Sequence, residues 1–357
     1  MSAFVRTSHR VYKRYQSLFE AAITSLCLAL LVGLALFNLP VYPPNWAPVA
    51  AAVIALVGFR WPLAAYLLTI GVLLYPIYTL SLYLAILFLA VAIVVHRPAG
   101  HYLGATILVV STPLLAKFHL HWIVPVLAGL WWGSINGFWI GGTAALWGKL
   151  LNGMAGLDND WLLIAGQSPT VAGLMQRFNG LGSLETLTRL VEPFAPDTTL
   201  LLYHLLQIAV WALVAGLVGF LANQKWLYHH YPWSTVIVSG LGIVTLGLGL
   251  LFLAAWLREV DLTVLNYQPL LVVAVAGLTV SSTLEVLRQA LELPVAPNVH
   301  RRVISVPVPR RQSGGEVASA SATQHGQSKP TPVPLPDLPE WEPPAEDNND
   351  LILLELD

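Results

Sequence analysis

The chemistry this sequence can offer rests on a few polar side chains set in apolar surroundings. Lys117, His119 and His121 sit together just before a long apolar run. A His-x-His pair can hold a transition metal, and a lysine can hold an anionic group. Residues i and i+2 do not share a helix face, so a metal there would need loop geometry and further ligands. The expectation is interfacial positioning, with no metal site. His204 and Gln207 are three apart and share a helix face that Trp211 continues. That pair suits a hydrogen bond either to a polar solute or to an adjacent helix. Asn136 and Trp139 offer a hydrogen-bonding group and a stacking ring at membrane depth, where an unpaired polar group is costly. With His204 and Gln207 they form the candidate solute-binding set. Glu285 and Arg288, again three apart, suit a pair near the inner interface.

No catalytic signature accompanies these residues. The chain has no Walker A loop, no HExxH, no GxSxG and no dinucleotide fingerprint. The expectation is a non-enzyme without cofactors and without a nucleic-acid partner. Its single cysteine, Cys27, rules out an intrachain disulfide.

The strongest pattern is structural. Gly129, Gly133, Gly137 and Gly141 recur every four residues, Ala145 extends the row, and Trp131, Trp132, Trp139 and Trp147 border it. Four-residue spacing lays small residues along one stripe, where another backbone can approach closely. The row predicts one continuous helix packed against a neighbour.

The elements that must position these groups follow from composition. The chain is 56% hydrophobic and only 10% charged, against about 25% charged in soluble domains. That much apolar surface asks for a bilayer. Apolar runs cover roughly 21–39, 46–59, 62–77, 78–95, 102–116, 122–148, 201–222, 234–256 and 267–287. Residues 62–95 would make about 50 Å of helix, too long for one crossing, and Pro76 is the expected turn. Residues 46–59 make about 21 Å and either re-enter or cross a thinned bilayer; the expected count treats them as non-spanning. The predicted fold is therefore all-α, a polytopic helical membrane protein with about eight transmembrane helices and a disordered C-terminal tail.

Its expected parts are a basic cytoplasmic N-terminus (1–19), an N-terminal bundle (20–149) and an outer-side loop with an interfacial helix near 184–191 (150–200). A three-helix C-terminal bundle (201–290) and a tail (291–357) follow. The first run is too long for a cleavable signal and reads as a retained helix. Basic residues before it, and Arg301, Arg302, Arg310 and Arg311 after the last run, put both termini in the cytoplasm of a plasma or inner membrane. Those four arginines would also attract anionic headgroups. The tail ends in Leu351, Ile352, Leu353, Leu354 and Leu356 framed by acids, with Trp341 upstream. An apolar cluster on a Pro-rich, flexible tether reads as a docking peptide for a cytoplasmic protein.

Arg60-Trp61-Pro62 at a turn, the run Leu127-Ala128-Gly129-Leu130-Trp131-Trp132-Gly133 and the short helices of 20–149 resemble two families. One is the substrate-binding membrane subunits of energy-coupling-factor uptake systems. The other is the multi-pass sensory input domains of bacteria. The first resemblance implies a helical bundle that binds a small molecule, and the second a membrane domain that precedes a signalling output. Neither transfers a site residue. The sequence thus supports a membrane scaffold or assembly subunit presenting its tail to a partner. The alternative is a small-solute transporter or its substrate-binding subunit.

Overall fold

The computed structural model describes residues 15–162, 171–224 and 233–292, apart from Pro40, Pro44, Ala195, Leu262 and Val264. Trp341, the terminal leucine cluster, Arg301, Arg302, Arg310 and Arg311 lie outside the described residues, as do the basic residues before Tyr15.

All regular structure among the described residues is helical. In chain order the helices are α1 (Gln16–Asn38), α2 (Trp46–Arg60), α3 (Pro62–Leu80), α4 (Leu82–His101), α5 (Leu103–Lys117) and α6 (Ile123–Ala155). The short α7 (Val171–Phe178) and α8 (Ser183–Val191) precede α9 (Thr198–Ala222), α10 (Trp233–Leu257) and α11 (Gln268–Glu292). Among the described residues, six helices are long and apolar enough to cross a membrane: α1, α3, α6, α9, α10 and α11. The apolar helices α2, α5 and the Leu82–Arg97 part of α4 are shorter.

Two sequence expectations are corrected. The break in 62–95 falls at Ser81, whose backbone is extended (φ −164°, ψ 133°), and Pro76 lies inside α3. The missing proline N–H is tolerated there, as it is in other apolar helices whose neighbours re-satisfy the backbone. The Pro76 carbonyl accepts the Thr79 hydroxyl at 2.7 Å.

The second correction concerns the glycine row. Gly133 has φ 75° and ψ −173°, a conformation outside any helix and open essentially to glycine alone. α6 is therefore two arms, 123–132 and 134–155. The arms fold back on one another: a Cβ on Gly137 would sit 2.9 Å from the Ala128 carbonyl oxygen and 2.9 Å from Gly129 Cα. Along one straight helix Ile123 and Lys149 would stand about 39 Å apart. Here His121 and Lys149 both reach the Trp161 ring, at 5.6 Å between centroids and 5.9 Å from Nζ to centroid.

α9 packs into this hairpin. A Cβ on Gly219 would overlap the backbone of Gly133 and Ser134, and one on Gly141 would lie 3.0 Å from the Trp211 carbonyl oxygen. The second arm runs antiparallel to α9, and the first arm runs back beside it. α10 continues antiparallel to α9, with Gly249 against Val210 and Gly242 against Val218. α11 returns beside α10, where Gly277 faces Ile243. These helices share one apolar core built on Trp122, Val126, Trp211, Val218, Leu246 and Val273.

α1 and α2 are also antiparallel, with Gly33 against Ala51 and Gly58 against Ser25. α3 and α4 form another antiparallel pair, held by the Tyr66 hydroxyl donating to the Ala92 carbonyl at 3.2 Å. Gly104, at the start of α5, meets Thr24 of α1 and Trp132 beside the α6 turn. One end of the bundle thus gathers the first half of α1, the start of α5, the Gly133 turn and the C-terminal part of α11. The 157–162 loop and the end of α10 lie at the other.

Candidate functional site

At that opposite end a buried polar network interrupts the apolar core. It is built from the second arm of α6, the loop that follows it, α9 and the residue after α10. Lys149 lies four residues beyond Ala145, so it continues the small-residue row and faces α9, where it is fully buried. Its ammonium donates to the Gln207 side-chain oxygen at 2.6 Å and to the Asn159 carbonyl, and meets His204 Nδ1 at 3.0 Å. An ammonium has three protons and no lone pair, so these three acceptors satisfy it. The same logic makes His204 Nδ1 the acceptor and leaves the neutral ring's proton on Nε2.

The acidic centre is Asp160, 2% exposed. Its Oδ1 accepts from Gln207 Nε2 at 2.7 Å and the Leu162 N–H at 3.0 Å. Its Oδ2 accepts from the Tyr203 hydroxyl at 2.9 Å and Arg258 Nη1 at 2.8 Å. Each carboxylate oxygen therefore holds two donors. Gln207 bridges the two charges: its oxygen takes Lys149 and its nitrogen gives to Asp160. Arg258 sits just past α10 and stacks over the Tyr203 ring at 5.6 Å. Burial alone would pull its ionisation down, but the Asp160 carboxylate beside it more than compensates and holds it above its ordinary value.

Local structure explains how the loop gets there. Gly156, at φ 73°, closes α6 with Leu157 N–H on the Asn152 carbonyl at 2.9 Å. The chain then turns inward, and Asp158 Oδ1 receives the Asp160 N–H at 2.9 Å. Trp161 enters the core completely and lies on Gly148, where a larger residue would collide with its ring. Beneath the network Trp161, Trp211 and His121 stack, with centroids 4.5 Å apart for the two indoles and 6.3 Å for His121 and Trp211.

The sequence candidates divide accordingly. The structure brings His204 and Gln207 into the network, where Gln207 is fully buried by protein partners. Asn136 and Trp139 lie on the exposed side of α6 (Trp139 is 66% exposed), apart from that pair. His119, at φ 60°, closes α5: its N–H reaches Ala116 and the Leu120 N–H reaches Leu115, a left-handed helix stop. Its partner in the His-x-His pair, His121, points into the aromatic stack. No group of three His, Cys, Asp or Glu side chains gathers among the described residues. Glu285 accepts the Trp131 indole N–H at 2.8 Å, and Arg288 lies 5.8 Å over the same ring.

Sequence reasoning missed Lys149, Tyr203, Asp160 and Arg258. Lys149 was findable, since an ionisable residue at the edge of an apolar run is a site candidate in its own right. The pairing of Asp160 with Tyr203 and Arg258 was not, because those partners stand 43 and 98 residues further along the chain.

Beside the network a cleft of about 250 Å³ opens among Asp158, Asn159, Pro193, Leu200, His204 and Arg258. Compared with protein-family models, with curated proteins and with solved structures, the chain matches none.

Proposed function

We propose that this chain is a multi-pass membrane protein that binds a small polar solute at one membrane boundary, as a transporter or a transporter's binding subunit. One observation carries this reading: Lys149, Asp160 and Arg258 are drawn into one network inside an otherwise apolar bundle, beside an open cleft. Ionisable groups at such depth are expensive and are kept mainly where they serve a site. The inserted 157–162 loop adds backbone groups of the kind transporters expose at their sites.

In this reading α1, α2, α3, α4, the second arm of α6, α9, α10 and α11 make eight passes. α5 and the first arm of α6 make an excursion that begins and ends on one face. The total equals the sequence expectation but is reached differently, with 46–60 counted as a pass. α2 would span only about 22 Å, which a locally thinned bilayer accommodates. Eight passes leave both termini on the face of the basic segments, the cytoplasmic one by the positive-inside rule.

The test is thermal stabilisation of the purified full-length protein across a broad panel of small polar solutes. At least one solute should raise the melting temperature, and His204→Leu should remove that rise. No response across the panel would end this reading. The docking role read from the tail is a separate proposal: chains 1–357 and 1–349 should then differ in the cytoplasmic protein they retain.

A further inference from the structure

We infer that the cleft beside Arg258 and His204 takes a small zwitterion, a molecule with a carboxylate, an ammonium group and a compact apolar side group. The inference rests on the solute-binding reading above and specifies its ligand. Three features of the wall carry it.

The first is a pair of donors. Arg258 commits Nη1 to Asp160 and keeps further N–H groups of its planar fork, the geometry that matches a carboxylate. His204 adds the proton on Nε2, because Nδ1 is taken by Lys149. The second is a pair of acceptors. Asp158 brings an exposed carboxylate to the same wall. Asn159 is 5% exposed, and its Oδ1 is buried with no hydrogen-bond partner among the described residues. Its Nδ2 is already given to the Pro193 carbonyl at 3.3 Å, so the oxygen awaits a donor. The third is an apolar remainder, formed by Leu157, Pro193 and Leu200.

A simple anion would face the Asp158 carboxylate and leave Asn159 Oδ1 unpaired. A simple cation would face Arg258. Only a ligand with both groups pairs both ends. The cleft, about 250 Å³ and open on one side, has room for a small molecule of this kind.

The experiment is calorimetric titration of the purified full-length protein with L-leucine, L-valine, leucinamide and 4-methylpentanoate. The expected result is binding of at least one amino acid, with the cationic and anionic analogues weaker by about tenfold or more. Leu200→Trp, which fills the apolar wall, should abolish that binding with the melting temperature retained. If that variant does not fold, Asp158→Asn serves instead. It keeps the acceptor for the Asp160 N–H and should cost about tenfold in amino-acid affinity while narrowing the gap to 4-methylpentanoate.

Equal binding of either analogue would overturn the zwitterion assignment and leave solute binding standing. So would silence from all four probes when another solute in the panel stabilises the protein. Failure of the whole panel would remove both proposals.

Discussion

Replacing Asp160 with asparagine tests the polar network at its centre. Both carboxylate oxygens hold two donors, Gln207 and Leu162 on Oδ1 and Tyr203 and Arg258 on Oδ2. An asparagine must place its NH₂ at one of these positions, where it opposes two donors whichever way the amide turns. Gln207 cannot relieve the conflict by flipping, because its oxygen is engaged by Lys149. Hydrogen bonds to a charged group contribute about 1.5–3 kcal/mol each, so losing two costs roughly 3–6 kcal/mol. The shape of the side chain is unchanged, so no cavity effect enters. The assay is reversible unfolding in mixed micelles, followed by the fluorescence of the chain's 13 tryptophans. A loss under about 0.5 kcal/mol, the range of ordinary surface changes, would refute the claim that Asp160 organises this end of the bundle.

Other substitutions probe the fold around it. Gly137→Ala should destabilise by about 1–3 kcal/mol, since its Cβ would press on the Ala128 carbonyl. Gly71→Ala, where a Cβ meets nothing within 4 Å, should be neutral or stabilising in the same unfolding measurement. Gly133→Ala should cost about 1–3 kcal/mol from its backbone conformation alone, and a wild-type melting temperature would argue for a straight α6. Lys149→Met keeps the bulk but strands Gln207, His204 and the Asn159 carbonyl. A loss of about 3 kcal/mol or more is expected in the unfolding assay, and an unchanged midpoint would mean the ammonium is dispensable.

The sequence by itself determined the solvent for each stretch of chain. Apolar runs of about 15–25 residues demand helices in lipid, because no other local structure satisfies every backbone group without water. The apolar helices between Gln16 and Glu292 were therefore legible, though the short α7 was not, and so was a small-residue row, of which Gly129 and Gly141 face α9 and Gly137 faces the first arm of α6. What the row could not disclose is that it is bent. Glycine every four residues suits a straight stripe equally well, and only the packing of Gly219 onto the Gly133 backbone selects the fold-back. Pro76 misled for a related reason: a missing N–H permits a break, but tertiary contacts decide whether one occurs, and here the chain extends at Ser81 instead. His204 and Gln207 were legible as a polar pair on one helix face, since periodicity is local. Their pairing was not, because Lys149 and Asp160 meet them, and Arg258 meets Asp160, only after the hairpin, the inserted loop and α10 have been assembled. Charge pairing over such distances is a property of the folded bundle, where burial makes an unpaired ion too costly to keep.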